Sequence, residues 1–261
     1  MYESIPALIA GMQADLAVLR AGDDRRRYFH ATYLRSTQAF DREIRRGGFA
    51  DGAWLERWDL VFAGLYLNAL AADLRGDPVP QPWRVAFDAA RERGDLPPVR
   101  HVLLGMNAHI NFDLPQALIA VITPAEFDDP RVAASRAADH RHVDDVLLAR
   151  VGAEDDELSA QTRRSLLDRL LAPANRAATR RILTEARAKV WRNVLVLDRA
   201  RRKGPEEYAT VLAELEKLCA ARVADLTAPG QVLLKLARHG FGVLLPDAGE
   251  GRLPDAANRP R

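Results

Sequence analysis

The sequence predicts an all-α protein, a single multi-helix bundle of about eight to ten helices around a buried central helix. Three observations carry this. Apolar residues recur at helical spacing along nearly the whole chain. Ala, Leu and Arg, all good helix formers, dominate the composition. No segment shows sustained alternation of apolar β-branched residues, so no strand is expected.

The elements run in order along the chain. Ile5 to Leu19 is a short amphipathic helix. Asp23 or Asp24 is placed to cap a second helix through Tyr28, Phe29, Tyr33 and Phe40 to about Arg46, and Gly47-Gly48 ends it. Asp51 opens a third through Trp54, Trp58, Phe62, Tyr66 and Leu70, which stops near Gly76. Asp77 to Pro82 reads as a loop, and a short helix carries Trp83 and Phe87 before Pro97-Pro98. Val99 to Ile122 is the central apolar helix. Thr123-Pro124 and Asp129-Pro130 bracket a loop. Further helices are read at Arg131 to Val151, Asp156 to Leu171, Pro173 to Arg202, Pro205 to Leu226 and Gly230 to Gly240. Residues 1–245 are expected to form one domain. A disordered tail is expected over 246–261, where Gly, Pro and charge accumulate.

Composition narrows the functional classes. The 38 Lys and Arg residues nearly balance 36 Asp and Glu, for a net charge of +2. No nucleic-acid partner is expected from that balance. The basic runs at Arg25–Arg27, Arg45-Arg46, Arg180-Arg181 and Arg199–Lys203 sit in helical patterns that also carry acids, so they read as solvated faces. The single cysteine, Cys219, excludes an internal disulfide and a Cys-rich zinc site. No stretch reaches the ~18 apolar residues of a membrane span. No basic region followed by a long apolar run opens the sequence, so a cytoplasmic location is the expectation. Gly-rich phosphate loops, His-Glu-x-x-His and Cys-x-x-Cys are absent, so no nucleotide cofactor is expected.

The central helix carries the chemistry. It is apolar on all sides, the mark of a buried helix, yet contains Asn107, His109, Asn111 and Asp113. At about 100° per residue, Asn107 and Asn111 share one face, and His109 and Asp113 share a roughly opposite one. Buried polar groups without partners cost a few kcal/mol each, so something must satisfy them. Pro115 cannot donate to the carbonyl of Asn111, so the helix should kink or restart there, with Asp113 as a candidate N-cap. His140 and Asp144 repeat the His-x-x-x-Asp spacing, and two such pairs would supply two nitrogens and two carboxylates to a divalent metal such as zinc. His30 lies among aromatics, where a lone histidine is usually a satisfied core residue. Asp59, between Trp58 and Leu60, is a costly carboxylate to bury, and Arg84 or Arg192 would relieve it.

Phe29-His-Ala-Thr-Tyr-Leu, Trp58-Asp-Leu-Val-Phe-Ala-Gly-Leu-Tyr, Pro82-Trp-Arg and Gly105-Met-Asn-Ala-His-Ile-Asn-Phe-Asp-Leu-Pro115 together resemble a bacterial family known only as a domain of unknown function. Its signature is Asn-Ala-His-Ile-Asn-x-Asp-Leu-Pro, and the resemblance runs from about residue 5 to about residue 240. In that family Asn is expected where this chain has Asp144. The resemblance implies no reaction. The helical His-x-x-x-Asp at His109 and Asp113 is also similar to one in zinc-dependent phospholipase C and related nucleases, whose other ligands do not map onto this chain.

Two functions are expected from these residues. One is an enzyme acting on a small, largely apolar substrate, by acid–base isomerisation or cyclisation, or by metal-assisted hydrolysis. There His109 and Asp113 are catalytic, and Asn107, Asn111, Tyr33, Trp58, Asp59 and His30 bind the substrate. The metal set is His109, Asp113, His140 and Asp144. The other is a non-catalytic helical domain that binds a small molecule or a protein, with the polar residues as a structural network. Beside these stands a purely structural or scaffolding role through the Arg-rich helices from Pro173 to Leu226, which a homodimer interface on those helices would support.

Overall fold

A computed structural model describes residues 2–143, 166–228 and 240–246, with side chains described outside 166–183. The described residues are helical with no strand, as an all-α fold requires. Helix α1 (Ile5–Ala21) starts at Ser4, whose hydroxyl accepts from the Ala7 amide, and buries Leu8, Met12, Leu16 and Leu19. Asp24 accepts from the Arg26 amide at 2.9 Å just ahead of α2 (Arg27–Arg45), and Gly47, at φ 71°, turns the chain after it. Asp51 caps α3 (Gly52–Arg75) by accepting from the Trp54 amide at 2.9 Å, and Gly76, at φ 79°, ends it.

Helices α4 (Gln81–Glu92) and α5 (Pro98–Ala108) lead to the core element. Helix α5 runs into a π-helical turn (His109–Asp113) and then α6 (Leu114–Val121). All five residues of the turn are buried. Helix α5 packs on α2, α4 and α10, α6 packs on α3 and α9, and the turn meets α3, α9 and α10. This places the apolar run at the centre of the bundle, where a helix without a polar face belongs.

The remaining elements wrap this centre. Helix α7 (Pro124–Asp128) lies inside the stretch read as a loop, closed by a capping box between Thr123 and Glu126. Helix α8 covers 130–143. Arg136 on α8 donates to Asp51 at 2.8 Å and to Glu126 at 3.0 Å, tying α8 to the start of α3 and to α7. Helix α9 (Leu166–Lys203) is continuous through Pro173, where the sequence suggests a break. A proline inside a helix removes one hydrogen bond without always ending it. Helix α10 (Pro205–Thr227) packs against α4, α5 and α9. The expected helix over 230–239, the stretch 144–165 and the tail from 247 lie outside the described residues.

The last described segment, 240–246, is extended and buried. Phe241, Val243 and Leu245 are each under a tenth exposed. Helical side chains satisfy its backbone. Arg222 donates to the Gly240 carbonyl at 2.6 Å. Asn107 and Asn111 both donate to the Phe241 carbonyl, at 2.9 and 3.0 Å. Asn111 accepts from the Val243 amide at 3.3 Å, and Asn193 bonds the Val243 carbonyl and the Leu245 amide at 3.1 and 2.9 Å. A side chain at Gly242 would meet the Ala186 Cα at 2.8 Å, so only glycine fits there.

Candidate functional site

The site begins with the π-helical turn. The Leu114 amide closes on the His109 carbonyl, one residue further back than in an α-helix. Pro115 has no amide to offer the preceding turn, and the Gln116 side chain donates to the Phe112 carbonyl at 2.8 Å. The helix therefore widens by one residue instead of breaking, and Asp113 is helical with no side-chain cap bond. Its carboxylate points to other partners. Gly105, one turn ahead of His109, lets α5 approach α2 closely, since a Cβ there would meet Phe29 Cγ at 2.3 Å.

His109 Nδ1 and Asp113 Oδ2 are 2.8 Å apart. Trp83 Nε1 donates to the same Asp113 oxygen at 2.9 Å. Burial drives the His109 pKa well below the ordinary histidine value, so the imidazole is neutral. Burial also drives Asp113 well above the carboxylate range, opposed by the Trp83 hydrogen bond. The shared bond occupies His109 Nδ1 and leaves Nε2 as the other ring nitrogen. That nitrogen is buried and has no partner among the described residues.

Aromatic rings enclose the imidazole. Phe62 stacks flat on it, with centroids 3.6 Å apart and planes 4° apart, and Tyr33 meets it edge-on at 4.5 Å. Phe29, Tyr66 and Trp83 complete the shell at about 6 Å. Phe62 is only partly buried. Beyond it lies a small cavity of about 40 Å³, lined by Tyr33, Thr37, Phe40, Trp58, Asp59 and Phe62 together with Ser36, Val143 and Arg187. Phe62 and Tyr33 thus form the wall between the cavity and His109.

Asp59 is the charged surprise of this cavity. Arg84 and Arg192, the partners expected for it, are both exposed. Its Oδ2 has no partner among the described residues. Burial, with a smaller push from Asp41, raises its pKa to about 7. The cation that shares the cavity is Arg187, lowered by burial to about 9 and donating to the His140 carbonyl at 2.9 Å. The Tyr33 hydroxyl is held well above its usual pKa by burial and by the charges of Asp59 and Asp113, which places it electrically between the two carboxylates.

The other expected residues divide. His30 bonds the Tyr66 hydroxyl at 3.0 Å and the Met12 carbonyl at 2.8 Å, as a satisfied core histidine does. Asn107 and Asn111 hold the 240–246 segment. His140 is buried against Trp58 and Trp191, and its Nε2 has no partner among the described residues. Asp144 lies outside the described residues, and among those described no three His, Cys, Asp or Glu side chains gather as metal ligands. Sequence reasoning misses Trp83 as the second partner of Asp113 and Arg187 as a lining residue. A Trp spaced for the core and one Arg among many carry no signal of contact. The open hollow at Ala125, Asp128, Asp129, Pro130 and Arg131 lies on α7 and the start of α8, away from these groups.

The fold and site define a class: an all-α protein with a buried His–Asp–Trp chain on a π-helical turn in its central helix. The sequence matches the family of unknown function DUF5995 over residues 5–229, and the chain belongs to that family. No curated protein and no solved structure matches it. No helix among the described residues is long and apolar enough to cross a membrane.

Proposed function

We propose that this protein is an enzyme that moves protons on a small, largely apolar substrate. His109 is its acid–base group, Asp113 and Trp83 orient that group, and Asp59 handles a second proton at the cavity. One observation carries the reading: the wall of the cavity is built from the same two rings, Phe62 and Tyr33, that cover His109. A cavity of about 40 Å³ admits little more than water, so the substrate enters as the partly exposed Phe62 ring turns aside. When Asp113 is ionised and accepts from His109 Nδ1–H, the neutral imidazole offers an Nε2 lone pair to a substrate proton, and when Asp113 is protonated and donates to Nδ1, Nε2 carries the hydrogen and donates it. An Asp59 pKa of about 7 suits it to give or take a proton near neutrality. This fits isomerisation or cyclisation better than hydrolysis.

The test works with an unidentified substrate. Wild type, His109→Gln and Asp59→Asn are incubated with a small-molecule cell extract in D2O, and deuterium uptake is followed by mass spectrometry. At least one compound should change or gain deuterium with wild type and not with His109→Gln. Identical profiles for all three proteins would refute the proposal. Elemental analysis runs beside it: a stoichiometric transition metal lost in His109→Ala would replace acid–base chemistry with metal-assisted hydrolysis. The small size of the cavity favours a second reading, a non-catalytic binding domain, for which a ligand is bound without turnover.

A further inference from the structure

We propose that the extended segment 240–246 is a working part of the His109 site, and that Asn111 is its positioning residue. Through Asn111 the segment holds the π-helical turn in register, and with it the His109–Asp113 pair. The catalytic role of this support rests on the function proposed above, whereas the mechanical coupling stands without it.

The turn is poorly held by its own backbone. Pro115 supplies no amide to it, and its closing bond spans one residue too many. An ordinary α-helical register would remove that extra residue and rotate the chain beyond it by ~100°. Asp113 would then leave either His109 or Trp83. Something outside the backbone must select the wider turn. Asn111, its middle residue, makes two opposed bonds to the segment, donating to the Phe241 carbonyl and accepting from the Val243 amide. Asn107, one turn earlier, donates to the same Phe241 carbonyl. The two residues that bracket His109 are thus pinned to a single carbonyl oxygen.

That oxygen is itself fixed. The Phe241 side chain is almost fully buried, and Gly242 presses its backbone against Ala186. Asn193 clamps the next two residues in the same two-bond manner as Asn111. A buried amide that loses its partners is strongly destabilised, so displacing the segment would force Asn111 and Asn107 to turn. A turning Asn111 carries the π-helical turn with it.

The test uses full-length protein labelled at histidine nitrogen and carbon, read by NMR. Gly242→Ala disturbs the segment without touching the turn. Leu16→Ala, in the α1 core, serves as a control for lost stability alone. In Gly242→Ala the His109 ring signals should shift and its titration move toward the ordinary histidine range, whereas in Leu16→Ala they stay put. Unchanged His109 signals in a folded Gly242→Ala protein would overturn the proposal. If that variant does not fold, hydrogen exchange on wild type decides. The Val243, Leu245 and Leu114 amides should open together, and protection differing by more than about tenfold would refute the coupling. Turnover lost in His109→Gln tests the function, and His109 signals in Gly242→Ala test the coupling, so one can fail without the other.

Discussion

Replacing Asp59 by Asn should stabilise the protein at pH 8 and do nothing at pH 4. The unfolded carboxyl titrates near 3.8 and the folded one near 7. Between those values the folded chain holds a proton that the unfolded chain has lost. Stability therefore falls as pH rises through this window, and the loss is complete above about 7. The gap is about three pH units at ~1.4 kcal/mol each, which gives ~4 kcal/mol as a ceiling. Relaxation around the charge lowers this to ~2–4 kcal/mol. Asn keeps the shape and carries no charge. Urea unfolding of both proteins at pH 4, 6 and 8 isolates the effect, because other titrating groups cancel in the difference. At pH 8 the variant should melt roughly 5–15 °C higher. A variant that is less stable than wild type at pH 8 would show that Asp59 has a partner in the folded protein. Curves that stay parallel across pH would show that its pKa is ordinary. Stabilisation combined with lost turnover is the behaviour of a carboxylate kept for its chemistry.

Other substitutions probe the surrounding supports. Trp83→Phe keeps the ring and removes the donor to Asp113, so urea unfolding should show a loss of ~1–2 kcal/mol. Gly105→Ala forces a methyl into the Phe29 ring and should cost ~1–3 kcal/mol in the same assay. Asn193→Ala strands a buried carbonyl and a buried amide of the 240–246 segment, for a loss of ~2–4 kcal/mol, with faster exchange of the Leu245 amide as the direct readout. His140 is held well below the ordinary histidine pKa by burial and by the charges of Arg187 and Arg141. Below about pH 6.5 the unfolded chain binds a proton that the folded imidazole refuses, so this residue costs stability on acidification. His140→Gln should flatten the fall in stability from pH 6.5 to 5, and an unchanged slope would mean that the imidazole charges in the folded state.

The central helix is the most legible part of the sequence. An apolar run with four polar residues at positions 107, 109, 111 and 113 can only be a buried helix that sorts its polar groups onto two faces. The faces are readable because helix periodicity is a local property. The π-helical turn is not, since Pro115 predicts a disruption without saying whether the helix breaks or widens. The caps at Asp51 and Gly76 are legible for the same local reason, whereas the capping box of α7 hides in a stretch marked by two Asp/Thr-Pro steps. What each polar face touches is out of reach. Asn107 and Asn111 find their partner more than a hundred residues away in Phe241 and Val243, and nothing in Gly-Phe-Gly-Val announces a buried extended segment. Trp83 meets Asp113, and Arg187 shares a cavity with Asp59, through tertiary packing alone.

The two faces of the central helix are satisfied to different degrees, and this contrast supports the site proposed above. Toward the 240–246 segment, Asn107, Asn111, Asn193 and Arg222 bond the extended backbone and a glycine fits it against Ala186, with Asn107 Oδ1 left without a partner among the described residues. A polar network built for stability looks like this. Toward α3 and α8 the opposite holds. Trp58 Nε1, Asp59 Oδ2, His109 Nε2 and His140 Nε2 are all buried without partners among the described residues, and of these residues Trp58 and Asp59 line the small cavity. Each such atom costs ~1–3 kcal/mol, and together they cost as much as a small domain's whole stability. Apolar side chains in their place would give a more stable bundle if folding were the only demand. The side of the core that carries these unpaired atoms is the side on which the proposed function rests, and the side bonded to the 240–246 segment is the brace proposed for His109.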